Sequence, residues 1–215
     1  AGTLACLTPA FYVTLFDVAT ADVVARLRLA AWPLAPRTFL ELVGAKLDLY
    51  GPAWTAATLV FLLAAASNLT SWASFTEPAG SWKYDFTVVT LALAVVYGFM
   101  LGVPAALWLL LNYLAVAGIS LVSLVVVTGY SLVPFLPAAA LCALPVPALQ
   151  WTALALAAAL SALTPFKALW RRLTDQLPLP QARFVAAALV AAHLLFAVVL
   201  KAYFFAAAAV AAAVA

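Results

Sequence analysis

The stretch FTVVTLALAVVYGFMLGVPAALWLLL, from Phe86 to Leu111, contains no Asp, Glu, Lys, Arg or His. A helix rising about 1.5 Å per residue crosses a hydrocarbon core of about 30 Å in about 20 apolar residues, so this segment is long enough to span a bilayer. Four other stretches read the same way. The first span runs from about Pro52 to Trp72, with Phe86–Leu111 as the second. The third runs from about Ile119 to Leu144, the fourth from about Ala148 to Leu163, and the fifth from near Ala182 to at least Phe205. The fourth is short and mostly Ala and Leu, so neighbouring helices must help to hold it.

Composition agrees with this reading. Of 215 residues, 69% are hydrophobic and 8% charged, with a mean hydropathy of +1.18. A soluble domain carries about a quarter charged residues, and this chain has too little polar material to cover a soluble globule. A soluble enzyme domain and a disordered regulator are excluded. Ten basic and seven acidic residues give a net charge of +3, too weak and too scattered for a nucleic-acid footprint. The expected fold is all-α: a polytopic helical membrane bundle of five transmembrane helices with N-terminal interfacial helices.

Residues 1–51 differ from the rest. Arg26, Arg28, Arg37 and Lys46 alternate with Asp17, Asp22, Glu41 and Asp48, and between them sit Phe11, Leu15, Phe16, Val23, Val24, Leu27 and Trp32. That mixture suits helices lying in the interface; the alternative is a piece of a soluble domain that continues upstream. Val23 and Leu27 are at helical spacing, Asp17 or Thr20 is the expected cap, and Trp32-Pro33-Leu34-Ala35-Pro36 is the expected break. The organisation expected is therefore 1–51 cytoplasmic or interfacial, 52–205 membrane domain and 206–215 an alanine-rich tail without function. The chain does not begin with Met, and a leading segment is expected before it. Cys6 lies in the polar N-terminal part, where lipidation is conceivable, and Cys142 lies in an apolar run, where a thiol packs as a small hydrophobe.

Basic residues in short loops set orientation. Arg26, Arg28, Arg37, Lys46, Lys167, Arg171, Arg172 and Arg183 fall on the N-terminal side of a five-span chain, against Lys83 and Lys201 opposite. The N-terminus is expected in the cytoplasm and the C-terminus in a lumen. Arg171 and Arg172 are expected to anchor to anionic lipid.

Several devices sit inside the spans. Gly98 and Gly102 form a GxxxG, either a close-packing face or a chance occurrence, and Pro104 should kink the same helix. In the third span Pro134 deprives the Tyr130 carbonyl of its helical donor, with Thr128 and Ser131 hydroxyls at hand to replace it. A broken helix at this depth is either a structural kink or a transporter-like binding site. His193 lies mid-span, a functional candidate by default, but with no carboxylate inside any span to pair with it the favoured reading is a neutral imidazole hydrogen-bonding across helices. Lys201 is near enough to a helix end to snorkel. Asn68-Leu69-Thr70 is a glycosylation sequon too close to the membrane to be used. No His-Glu-x-x-His, paired aspartates, P-loop or Gly-x-Ser-x-Gly elbow occurs, so no catalytic residue, cofactor or metal is expected.

Leu47-Asp48-Leu49-Tyr50-Gly51-Pro52-Ala53-Trp54 opens the first span, followed by Thr58-Leu59-Val60-Phe61 and Ser67-Asn68-Leu69. The third span carries Gly129-Tyr130-Ser131 with Pro137 downstream, and the last reads His193-Leu194-Leu195 and closes on Ala202-Tyr203-Phe204-Phe205. Phe16-Asp17-Val18 with Thr20 precedes them all. Together these residues resemble the YIPF family, Yip-domain membrane proteins named for interaction with Ypt/Rab GTPases; the Asp-Leu-Tyr-Gly-Pro-x-Trp form is most similar to one Golgi branch. The resemblance implies five spans, residence in Golgi or ER–Golgi membranes, a role in vesicle-mediated transport, and partners among Rab-type small GTPases and other YIPF proteins. It supplies no catalytic residue. The family-motif positions are Asp48, Tyr50, Gly51, Pro52, Trp54, Gly129, Tyr130, Pro137 and His193.

The first motif also has a reading without any partner. Pro52 suits a first helical turn, Gly51 permits a sharp approach to it, and Asp48 or Tyr50 meets free N–H groups at the positive dipole end. Tyr50 and Trp54 suit the headgroup zone. Structural and partner-docking roles both remain open at this point. The alternative to a trafficking role is a small transporter or lipid-handling protein built on the kinked third span.

Overall fold

In the computed structural model, residues 9–44, 46–75 and 82–206 are described. Of these, 78% are helical and none is in a strand. The elements are α1 (Pro9–Phe16), α2 (Thr20–Ala31), α3 (Phe39–Val43), α4 (Tyr50–Ala73), α5 (Thr87–Tyr113), α6 (Leu121–Ser131), α7 (Phe135–Leu141), α8 (Pro147–Gln176) and α9 (Leu179–Phe204). Five membrane-crossing stretches result, α6 and α7 acting together as the broken third span. That span is the axis of the bundle, 72% buried over its most apolar window, whereas α5 is 28% buried and lies at the periphery. Cys6 and the tail beyond Ala206 lie outside the described residues.

Local chemistry sets several helix ends. Pro147 opens α8, where its missing N–H costs nothing. Ser120 accepts from the Ser123 amide to cap α6. Thr38 and Glu41 form a reciprocal capping box on α3, the arrangement that satisfies two orphan donors at once. Asp85 accepts from both the amide and hydroxyl of Thr87 at the start of α5, which holds its carboxyl below the usual range. The N-cap of α2 is Ala19 without a side-chain bond, so neither Asp17 nor Thr20 is the cap; the helix ends at Ala31, ahead of the Trp32–Pro36 break.

The break in the third span is settled within the backbone. The Val133 amide reaches the Tyr130 carbonyl at 3.1 Å and the Leu132 amide reaches Gly129 at 3.3 Å, a tighter turn in place of the lost helical bond. Ser131 Oγ donates toward Thr128 O at 2.7 Å. At the far end of α7, Thr70 Oγ1 lies 3.1 Å from Cys142 O and 3.2 Å from Ala143 O, and Gln150 Nε2 donates to Cys142 O and Leu144 O at 2.9 and 3.0 Å. The last carbonyls of a helix have no partner of their own, and two neighbouring helices supply them here.

The fourth span is longer than the sequence suggested. α8 runs on through Pro165 to Gln176, so Lys167, Arg171 and Arg172 are helical rather than in a loop. Lys167 Nζ reaches the Pro33 and Ala35 carbonyls at 2.9 and 2.5 Å, pinning the break after α2. Arg172 Nη1 donates to Gly118 O at 2.6 Å, and Gln176 exchanges two hydrogen bonds with the Ala117 backbone, so the end of α8 grips the turn between α5 and α6. Lys201 does not snorkel: it is 4% exposed and donates to the Phe205 carbonyl at the end of its own helix, at 2.6 Å. Gly98 and Gly102 are exposed, with open space where a Cβ would point, so their GxxxG packs against no helix among the described residues. Asn68 is buried and trades hydrogen bonds with the Asp85 backbone at 2.8 and 3.1 Å, leaving no free amide for a glycan.

Candidate functional site

α4 starts lower in the bundle than its neighbours. Its second residue, Gly51, meets Tyr130, which lies nine residues into α6, about 14 Å along that helix. The notch above α4 is filled by α2 and α3, and Ala30, Phe39 and Val43 from these pack with Val126, Val127, Tyr130 and Ala168. The Leu49 amide also donates to the Leu15 carbonyl at 2.8 Å.

Asp48 sits at the floor of this notch, 1% exposed. Its carboxylate is met from three directions. Arg26 Nη1 of α2 forms an ion pair with Oδ2, the Gly51 amide donates to Oδ1 at 2.9 Å, and the Tyr130 hydroxyl lies 3.0 and 3.1 Å from the two oxygens. Arg26, itself 4% exposed, uses Nη2 on the Lys46 carbonyl at 2.9 Å. A buried charge is tolerated when paired and fully hydrogen-bonded, and this cluster meets that condition.

The glycines are there because each takes a side chain of the other helix against its backbone, Tyr130 on Gly51 and Pro52 on Gly129. A Cβ on Gly51 would lie 2.0 Å from the Tyr130 hydroxyl oxygen and 2.2 Å from its Cζ, and a Cβ on Gly129 would lie 2.4 Å from Cβ of Pro52. Asp48, Gly51, Pro52, Gly129 and Tyr130, far apart in sequence, therefore form one contact, and Phe39 closes it with its ring 5.0 Å from that of Tyr130. Pro52 is the third residue of α4. Tyr50 and Trp54 face outward, 43% and 61% exposed, with ring centroids 6.2 Å apart. Pro137 is on α7 and exposed on the bundle surface.

His193 belongs to a second, separate cluster. Its Nδ1 lies 2.8 Å from the Leu189 carbonyl and its Nε2 3.3 Å from Ser131 Oγ. A carbonyl only accepts, so in the neutral ring Nδ1 carries the proton and Nε2 accepts from Ser131; this tautomer follows from the partners. The single Ser131 proton is shared between His193 and Thr128 O. Phe99 stands edge-on to the imidazole at 5.1 Å. The contact has the outline of a nucleophile and base, but Ser131 and His193 are both 0% exposed. It works as interhelical glue joining α6 to α9.

Sequence reasoning missed Arg26. Four bases and four acids share the first 51 residues, and nothing in a separation of 22 residues singles out the pair with Asp48. The only signal was the periodicity of α2: Val23, Arg26 and Ala30 recur at helical spacing and are its buried residues.

An apolar helical bundle with five membrane-crossing stretches, an amphipathic segment clamped across one end and, among the described residues, structural partners for each buried charge defines a polytopic membrane protein. No family model matches the chain, and no solved structure matches it. It is 31% identical over 196 residues to Protein YIPF1 homolog of Dictyostelium discoideum, covering 91% of this chain and 55% of that one. It is 29% identical over 93 residues to Protein YIP5 of Schizosaccharomyces pombe, covering 43% and 36%. The chain thus spans about half the length of the first relative and about a third of the second. It belongs to the YIPF, or Yip, family of membrane proteins.

Proposed function

We propose that this chain is a non-enzymatic factor of vesicle-mediated transport in Golgi or ER–Golgi membranes, with its N-terminus in the cytoplasm. There it presents α2, α3 and the end of α8 to Rab-type GTPases and pairs in the membrane with other YIPF proteins. The observation that supports this reading most is the clamp. Arg26, Asp48 and Tyr130 turn an otherwise small N-terminal segment into a fixed platform, and Arg28, Arg37 and Arg171 stand exposed on it. Family membership and the eight-to-two bias of basic residues favour the same orientation. The transporter alternative needs water or substrate at the kinked third span, and the burial of Ser131 and His193 argues against it.

The test is capture of purified, prenylated Rab-type GTPases by the detergent-solubilised full chain. Binding that falls at least tenfold in the charge reversal Arg37→Glu/Arg171→Glu supports the platform, because both side chains lie outside the clamp. Absence of binding to any member of a GTPase panel overturns the reading. Epitopes at either end, probed after selective permeabilisation of the plasma membrane, check location and orientation.

A further inference from the structure

A groove of about 290 Å³ runs along the outside of the bundle between the third and fourth spans. Pro134, Pro137 and Leu141 form one wall, Ala153 and Leu160 the other, and Ala31 closes one end. The sequence explains why it is empty of side chains. Pro134 is the N-cap of α7 and Pro137 lies in its first turn, so this part of the wall is proline ring and backbone, while α8 places Ala153 and Ala157 beside Leu156 and Leu160, leaving a gap where larger residues would meet the prolines. From Ala153 to Leu160 the slot is about 10 Å long. Both walls belong to membrane-crossing stretches, so it opens on lipid rather than water.

Its closed end has different chemistry. Ala31 is the last residue of α2, and Arg28, one turn back, lies on the same face of that helix. The other bases nearby are engaged: Arg26 with Asp48, Lys167 with two carbonyls, Arg37 with the Glu41 carbonyl. The Arg28 guanidinium is exposed and has no hydrogen bond or ion pair among the described residues. Trp32 follows, 62% exposed, an aromatic of the kind that favours the membrane–water interface. An apolar slot lined at one end by Ala31, with the unpaired Arg28 cation one helical turn beyond it, is complementary to an anionic amphiphile.

We propose that this groove holds one acyl chain of an anionic glycerophospholipid whose phosphate-bearing headgroup rests on Arg28. The site requires only that the bundle sits in a bilayer and is independent of the GTPase reading. A single basic residue near the surface contributes about 1 kcal/mol toward anionic lipid, about a fivefold preference.

Native mass spectrometry of the full chain, released from micelles with equal phosphatidylserine and phosphatidylcholine, tests this. The wild type should retain one lipid with about fivefold preference for phosphatidylserine. Arg28→Gln should retain a lipid without that preference, and Ala153→Phe, which fills the slot, should lose it. Arg183→Gln, an exposed base on another helix, should behave as wild type. Should Ala153→Phe aggregate, Arg28→Gln decides alone, since Arg28 makes no contact that the fold needs. The proposal is overturned if the wild type carries no lipid, if it carries only the zwitterionic one, if the preference survives Arg28→Gln, or if the groove is covered by a second protein chain that Ala153→Phe displaces.

Discussion

Gly51 and Tyr130 occupy the same corner of the bundle: a methyl group on Gly51 would stand 2.0 Å from the phenolic oxygen that Tyr130 points at Asp48. Only the absence of a side chain lets α4 begin against α6 at this depth. Gly51→Ala must therefore push the ring out and sever its bonds to the carboxylate. Hydrogen bonds to charged groups contribute about 1.5–3 kcal/mol, so Tyr130→Phe should cost about that much, and Gly51→Ala more, because the Cζ clash remains. The two losses should not add, since each removes the same hydrogen bonds. Thermal unfolding in detergent of the two single variants and the double variant measures the coupling. Simple additivity would contradict the shared corner.

Arg26 and Arg28 are two residues apart on one helix and should respond very differently to loss of charge. Arg26→Met leaves the Asp48 carboxylate buried without its cation, a situation that costs about 3–5 kcal/mol. Arg28→Met removes an exposed guanidinium and should change stability by less than about 0.5 kcal/mol. Limited proteolysis at Trp32–Pro36 reports the difference directly, because α2 released from the notch frees that segment from the Lys167 bonds that hold it rigid. Cleavage accelerated in both variants alike would show that the clamp does not hold the platform.

The contrast also explains how far the sequence could be read. The spans were legible because hydropathy over about 20 residues responds to the bilayer, which acts on each helix separately. The end of the fourth span was not, because Lys167, Arg171 and Arg172 look like a loop until the carbonyl partners of Lys167 and Arg172 in other segments are known. Asp48 was legible as a residue that meets the free N–H groups opening α4, a local matter resolved within three residues. Its pairing with Arg26 and Tyr130 joins positions 22 and 82 residues away, and no local rule encodes which of several bases folds back. Gly98 and Gly102 show the converse: a motif that left a packing face and a chance occurrence equally open stands on the open surface, because the third span rather than the second forms the axis.

His193 should tolerate replacement better than Asp48 does. In His193→Leu the Ser131 hydroxyl keeps Thr128 O as an acceptor, and the Leu189 carbonyl keeps the main-chain amide of residue 193 in the helical ladder. No buried group is orphaned, so the loss should stay near 1 kcal/mol. Asp48→Leu, by contrast, strands the Arg26 guanidinium and the Tyr130 hydroxyl together. Side-by-side unfolding of the two variants checks the ranking. A His193→Leu variant as damaged as Asp48→Leu would mean that the imidazole carries a role beyond joining two helices.

Glu41 offers a pH-dependent reading of the platform. Its carboxylate accepts from the Thr38 amide at 2.7 Å, and that bond, with the Thr38 hydroxyl next, holds its pKa below the ordinary 4.5. A carboxyl whose folded pKa is depressed stabilises the fold above its unfolded value and loses that contribution as the pH falls through the folded one. The capping box should therefore be intact at neutral pH and weaken only below about pH 4.5, the ordinary value. Glu41→Gln keeps an acceptor but removes the charge near the N-terminus of α3, so the gap in melting temperature between it and the wild type should be present at neutral pH and close on acidification. Being fully exposed, the group gives a small effect, and the direction is what decides. A gap that widens as the pH falls would mean that the charged form is not what the Thr38 amide selects.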